Sequence, residues 1–182
     1  MATHARERLL DAAEELFYAE GIRAVGVERI LAESGVGRAS FYRHFASKDD
    51  LVVAVLQRRD QAWRAWLAER VDAFGGDALD VFHALAERFA NADFRGCAFI
   101  NTMAETADTS SAAYRVAAEH KERVTAYVAG LLNKSGHEDA EALARRLVLL
   151  MDGAIVTALR ERTTAPAAEA HAVAAAMLDN AA

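Results

Sequence analysis

The sequence predicts an all-α protein of about nine helices: a compact three-helix unit at the N-terminus, then a larger helical remainder. Three observations predict it. Alanine, the best helix former, supplies 43 of the 182 residues. Strand-favouring residues are sparse, with 14 Val, 4 Ile and 8 Thr. Apolar positions recur at three- and four-residue spacing along most of the chain, between breaks marked by glycine. The same composition argues against an α/β enzyme fold. With 26% charged residues and one Cys, disordered and disulfide-scaffold classes are excluded. A single cysteine cannot form an internal disulfide, which suits a reducing cytoplasm. No apolar run approaches 18 residues without a charge, so no membrane span is expected. Met1 to Arg8 lacks the apolar stretch of a signal peptide, and the expected location is cytoplasmic.

Each helix follows from local signals. Thr3 is a candidate cap for the first, whose stripe is Leu9, Leu10, Ala13, Leu16 and Phe17, and Gly21 stops it. A short second helix carries Val27, Ile30 and Leu31 and ends at Ser34-Gly35. A very short third runs from near Gly37 to about His44. Ser47-Lys48-Asp49-Asp50 is a Ser-x-x-acid capping signal that opens a long fourth helix. That helix carries Leu51, Val55, Trp63, Trp66, Leu67 and Val71 and stops at Gly75-Gly76. Asp77 is expected to cap the fifth helix, through Leu79, Phe82, Leu85 and Phe89. The stretch from Asn91 to Gly96 reads as a turn, and a short sixth helix follows from Cys97 to about Thr106. Ser110 or Ser111 caps a seventh through Tyr114, Val124 and Leu131, broken at Ser135-Gly136-His137. The eighth runs from about Glu138 to Arg162. Between Leu147 and Leu159 it is apolar nearly all round, with Asp152 its only charge. A helix apolar on every face must be buried on every face, and in so small a chain a second subunit is the expected cover. The ninth starts near Pro166, tolerated in a first turn, and its alanines permit close helix approach across a dimer.

Charge is unevenly distributed. Net charge is −6, yet residues 1–48 hold seven Lys/Arg and seven Asp/Glu, so the remainder carries all of it. Nucleic acid, if bound at all, is therefore expected on the first fifty residues, which add His4 and His44. There, two short helices flank Ser34-Gly35-Val36-Gly37, a turn of helix-turn-helix type. Phe41 and Phe45, four apart, share a face toward Leu16, Phe17 and Ile30. Arg38, Ala39, Tyr42 and Arg43 then face away, with Ser40 and His44 at the margin. A phenol, two arginines and an imidazole on the outside of a short helix suit contact with phosphates and base edges.

The run Gly-…-Val-x-x-Ile-…-Gly-Val-…-Ser-Phe-Tyr-x-His-Phe-x-Ser-Lys-x-x-Leu, over roughly residues 6–51, resembles the DNA-binding domain of the TetR family of bacterial repressors. The Phe-Tyr-x-His-Phe-x-x-Lys portion is the specific part. The long fourth helix and two C-terminal helices fit the family by architecture, and Arg95-Gly96-Cys97 is similar to a phrase in many members. The resemblance implies a DNA-binding domain at 1–47 and a helical ligand-binding and dimerisation domain at 48–182. It also implies roles. Tyr42, His44 and Lys48 would contact phosphates, and Ser40 would make another phosphate or base contact. Arg38 and Ala39 would read base edges, and Arg43 could do either. The chain departs from the pattern at Val25-Gly26, where the family usually has two Thr, and at Gly37, where it has Ser. Both changes remove hydroxyls that cap helices and touch phosphate.

The family's small-molecule inducer pocket would lie among the later helices. Trp63, Trp66, Phe89, Cys97, Phe99, Met103, Tyr127 and Met151 could line it, or could be plain core. Cys97 reads either as an apolar filler or as a thiol sensor activated by Arg95 and a helix N-terminus. Asp152 reads as a paired interface carboxylate or as a partner for a cationic inducer. His83, His120, His137 and His171 show no metal spacing, and no HExxH, CxxC, phosphate loop or nucleophile–base arrangement is present, so neither metal, cofactor nor enzymatic activity is expected. The expected function is a homodimeric, ligand-responsive repressor that pairs through its two C-terminal helices and binds a near-palindromic double-stranded operator, away from any membrane. The alternatives are a helical small-molecule-binding protein or enzyme that lost DNA binding, supported by Gly26 and Gly37, and an architectural DNA binder without a ligand.

Overall fold

A computed structural model describes residues 2–180, with side chains from His4 onward. Among the described residues there are nine helices and no strand: α1 (Ala2–Glu20), α2 (Val27–Ser34), α3 (Arg38–His44), α4 (Lys48–Phe74), α5 (Asp80–Phe89), α6 (Ala98–Glu105), α7 (Ala112–Lys134), α8 (Ala140–Glu161) and α9 (Ala165–Asp179). The expected cap at Thr3 concerns a side chain outside those described. None of these helices is long and apolar enough to cross a membrane.

The chain forms two compact units. One comprises the residues up to Gln61 with Ala98–Glu119; the other comprises Ala62–Cys97 and the residues from His120 onward. The first contains the three-helix head. Leu9, Leu10 and Leu16 of α1, Ile30 of α2, Phe41 of α3 and Leu51 of α4 are all buried. The α1 stripe is thus the hub on which α2 and α3 are laid. Outside this core, one face of α1 is tied to α4 by charge. The Arg58 guanidinium reaches Asp11 at 2.7 Å, Glu14 at 2.6 Å and Glu7 at 3.7 Å, while Arg59 meets Glu14 at 3.1 Å and lies over the Tyr18 ring. Burial alone would push the Arg58 pKa down, but the bonds to Glu14 and Asp11 outweigh it and hold the pKa above its ordinary value.

The second unit is built on α5, α8 and α9, with the later parts of α4 and α7. Its core includes Phe82, Leu85, Leu132, Leu143, Leu147 and Met151. Helix α9 turns Ala167, Ala170 and Ala174 inward, small side chains that let its backbone approach α5 and α8 closely. Helix α8 is not covered on every side. Leu149 is 72% exposed and Val156 54%, and Val173 of α9 is 56% exposed. Asp152 is paired within the chain, to Lys121 of α7.

Most helix limits fall where the local signals place them. Gly21, Gly35, Gly75 and Gly76 all have positive φ, which glycine adopts without strain. Helix α5 is different. Asp77 Oδ1 accepts the Leu79 N–H at 2.9 Å and Asp80 Oδ2 accepts the Asp77 N–H at 2.9 Å. Together with the Asp80 N–H, which donates to the Asp77 carbonyl oxygen at 3.1 Å, these bonds close a turn, and the helix proper begins only at Asp80. Between the two serines proposed for α7, Ser111 is the cap, its Oγ accepting the Tyr114 N–H at 3.2 Å. Ser110 instead bonds Asp108, which lowers that carboxyl's pKa.

Candidate nucleic-acid interface

The head positions α3 through one short turn. Helix α2 ends in a left-handed Gly35 (φ 62°), and the Ser34 hydroxyl accepts the Val36 N–H at 3.3 Å. Gly37 then provides the extended residue from which α3 starts. Phe41 and Phe45 anchor α3 from below, their ring centroids 6.0 Å apart and both side chains buried. With that face fixed, Arg38, Ala39, Tyr42 and Arg43 are exposed, and Ser40 and His44 are half-buried. The Tyr42 ring is 50% exposed and stands edge-on to Phe41 at 5.1 Å, so its hydroxyl is held out on a rigid support. The side chains of Arg43 and His44, in the last turn of α3, form no hydrogen bond or ion pair among the described residues. Six of the seven candidate contact residues therefore lie together on α3.

Lys48, the seventh, is placed differently. Its ammonium donates to the Ile22 carbonyl oxygen at 2.6 Å and lies 5.9 Å from the Phe17 ring centroid. An ammonium has three N–H donors, so one is committed inside the protein. Arg38 also has a partner that local spacing did not reveal: it forms an ion pair with Glu28 of α2, across the turn. Both groups are well exposed, so this pair is weak and water competes with it. Gly26 and Gly37 are the N-caps of α2 and α3, neither with a side-chain cap bond. Ser47 caps α4, its Oγ accepting the Asp50 N–H at 3.1 Å and donating to Asp50 Oδ2 at 3.0 Å.

The candidate ligand residues do not all fall in one unit. Phe89 and Met151 are buried in the core of the second unit, with Trp63, Trp66, Cys97 and Tyr127 packed against it. Phe99 and Met103 are on α6 in the first unit. None of the eight residues lines either of two cavities found among the described residues. One, of about 30 Å³, lies between α1, α4 and α6; the other is an open groove of about 610 Å³ between α7 and α8. Tyr127 carries a buried hydroxyl with no hydrogen-bond partner among the described residues. Among those residues no group of three His, Cys, Asp or Glu side chains is placed to hold a metal.

Residues 9–55 match the model of bacterial regulatory proteins of the tetR family, and residues 77–173 match that of the LmrA/YxaF-like transcriptional regulator C-terminal domain. Over 53 residues the chain is 42% identical to HTH-type transcriptional regulators of Staphylococcus aureus, a match spanning 29% of this chain and 29% of theirs. Similarity to solved structures extends over nearly the whole length. A TetR-family transcriptional regulator from Streptomyces coelicolor is 34% identical, with 98% of this chain and 96% of that one covered and a TM-score of 0.88. A tetR-type transcriptional regulator from Streptomyces avermitilis is 31% identical, with 97% of each covered and a TM-score of 0.86. With one family model on the head, another on more than half of the chain, and a solved relative matched end to end, the chain belongs to the TetR family of bacterial transcriptional regulators.

Proposed function

We propose that this protein is a dimeric, ligand-responsive transcriptional repressor whose α3 enters the major groove of a near-palindromic operator. The observation that carries the reading is the outer face of α3: Arg38, Ala39, Tyr42 and Arg43 exposed over a buried Phe41–Phe45 floor. Arg38 reads a base edge, opening its weak pair with Glu28 to do so, and Ala39 offers only a methyl contact. Tyr42, His44 and Ser40 hold phosphates, Arg43 either phosphate or base, and Lys48 a phosphate with the donors that Ile22 leaves it. Residues 1–47 are the reading head and 48–182 the ligand-binding and dimerising part. An inducer occupies the second unit's core, where the Tyr127 hydroxyl offers an unused donor. Ligand acts by favouring a conformer with a different spacing of the two heads, and can do so only through its differential affinity for the two states. Such a regulator works where the chromosome is, in the cytoplasm.

Selection from a randomised duplex pool with the full chain, followed by fluorescence anisotropy, tests this. The parent enriches a two-fold-related sequence and binds it more tightly than a scrambled duplex. Tyr42→Ala weakens both duplexes alike and reduces the salt dependence. Arg38→Ala loses about 1–3 kcal/mol on the selected sequence and relaxes preference at one position. No enrichment at all would reject the DNA-binding reading in favour of a helical ligand-binding protein.

A further inference from the structure

The Ile22–Arg23 peptide unit lies in the turn between α1 and α2. Its carbonyl oxygen accepts the Lys48 ammonium from the start of α4, at 2.6 Å, and its N–H donates to Glu105 Oε2 from the end of α6, at 3.0 Å. In a trans peptide these two groups point in opposite directions. One rigid plane is therefore gripped on both edges by opposite charges from two other helices. The adjoining residue is shaped for this. Gly21 has φ 93°, and a Cβ there would sit 3.1 Å from Glu105 Oε1, so glycine both makes the turn and leaves room for the carboxylate. Glu105 is also the last residue of α6, where a negative charge opposes the helix dipole. Its placement serves the turn and not the stability of α6.

We infer that Glu105 is a positioning residue for DNA reading: it pins the α1–α2 turn to α6, so that α2 and α3 are presented in one fixed orientation. The inference rests on the DNA-binding reading of the head. A cavity of about 30 Å³, lined by Phe17, Ile22, Val52 and Glu105 among others, lies beside this contact and leaves the carboxylate without tight packing on that side. Releasing the carboxylate frees the Arg23 edge of the peptide while Lys48 still holds the other, so the turn loosens without unfolding the head.

The test uses the full chain, the duplex selected by the parent, a random duplex, and hydrogen exchange at the Arg23 amide. Glu105→Ala exposes that amide to fast exchange and weakens the selected duplex about tenfold, as loss of one charge-assisted hydrogen bond implies, with random duplex affected less than about twofold. Glu105→Gln retains an acceptor oxygen and restores both readouts to within about threefold of the parent. Unchanged exchange at Arg23, or equal losses on both duplexes, or parent-like operator binding by Glu105→Ala overturns the inference and leaves the DNA-binding reading intact. A parent that selects no duplex removes both.

Discussion

Tyr127 packs its ring against the second unit's core and buries its hydroxyl without a partner among the described residues. Burial first, and the negative charge of Asp72 second, raise the pKa of this phenol above its ordinary value. An unmade hydrogen bond on a buried hydroxyl costs about 1–3 kcal/mol, so Tyr127→Phe is expected to stabilise the protein by about 1 kcal/mol in urea unfolding at neutral pH. The pH dependence has a definite sign. The folded state holds the phenolic proton more firmly than the unfolded state does, so the native contribution is full below the unfolded pKa of about 10 and is lost as pH rises from there through the higher folded value. The advantage of the Phe variant therefore widens above about pH 10. A Phe variant less stable than the parent at neutral pH would mean that the hydroxyl has a partner in solution. The aromatic character of position 127 was legible as a core or pocket signal, but its missing partner was not, because satisfaction of a hydroxyl depends on every helix around it. The same holds for Arg38 with Glu28, which meet across the α2–α3 turn, and for Lys48 with Ile22, which join the start of α4 to the α1–α2 turn: no helical spacing marks either pair.

At the scale of elements, α3 was legible because two aromatic residues four apart fix one face and leave the opposite face by subtraction. The stops at Gly21, Gly35 and Gly75-Gly76 were legible for a backbone reason, since each glycine occupies positive φ. The start of α5 was not, because an aspartate before a helix can either cap it or close a separate turn, and the Asp77–Asp80 pair closes a turn. The short helix α3 also has a testable weakness. Its N-cap, Gly37, is extended (φ −70°, ψ 151°), carries no side-chain cap, and has nothing within 4 Å of the position a Cβ would take. Serine fits there without strain and can accept an N–H of the first turn. Gly37→Ser is expected to add only a few tenths of a kcal/mol of stability, since glycine is itself a fair cap. Its effect on binding is larger: a hydroxyl at this position gains about 0.5–1.5 kcal/mol on every duplex if it reaches phosphate, which is about two- to tenfold in affinity. Anisotropy on selected and random duplexes reads this directly. A gain on the selected duplex alone would reassign position 37 from phosphate holding to base reading.

At the scale of the molecule, the question is what covers α8 and α9. The stretch from Leu147 to Leu159 reads as apolar on all faces, and the fold accounts for most of it: Leu147, Met151, Ile155 and Ala158 are buried within the second unit. Leu149 and Val156, seven apart and so on one side of α8, remain exposed, as does Val173 on α9. Asp152, the one charge in the stretch, is already matched by Lys121 within the chain and needs no partner from another subunit. What a second copy would cover is therefore an aliphatic surface. Covering one large aliphatic side chain contributes about 1.5–3 kcal/mol, and a two-fold interface counts each residue twice. Leu149→Glu removes this contribution and places two carboxylates at the interface, so the dimer dissociation constant is expected to rise by at least about 10²-fold. Sedimentation velocity at micromolar concentration measures it, with circular dichroism confirming that the helices persist. The DNA consequence follows from geometry alone: a monomer keeps an intact head but loses the avidity of two linked half-sites, so its affinity for the palindrome falls toward that for a half-site while half-site binding is unchanged. If Leu149→Glu sediments as the parent does and binds the palindrome equally well, α8 is not the dimer seam, and the aliphatic surface has another occupant.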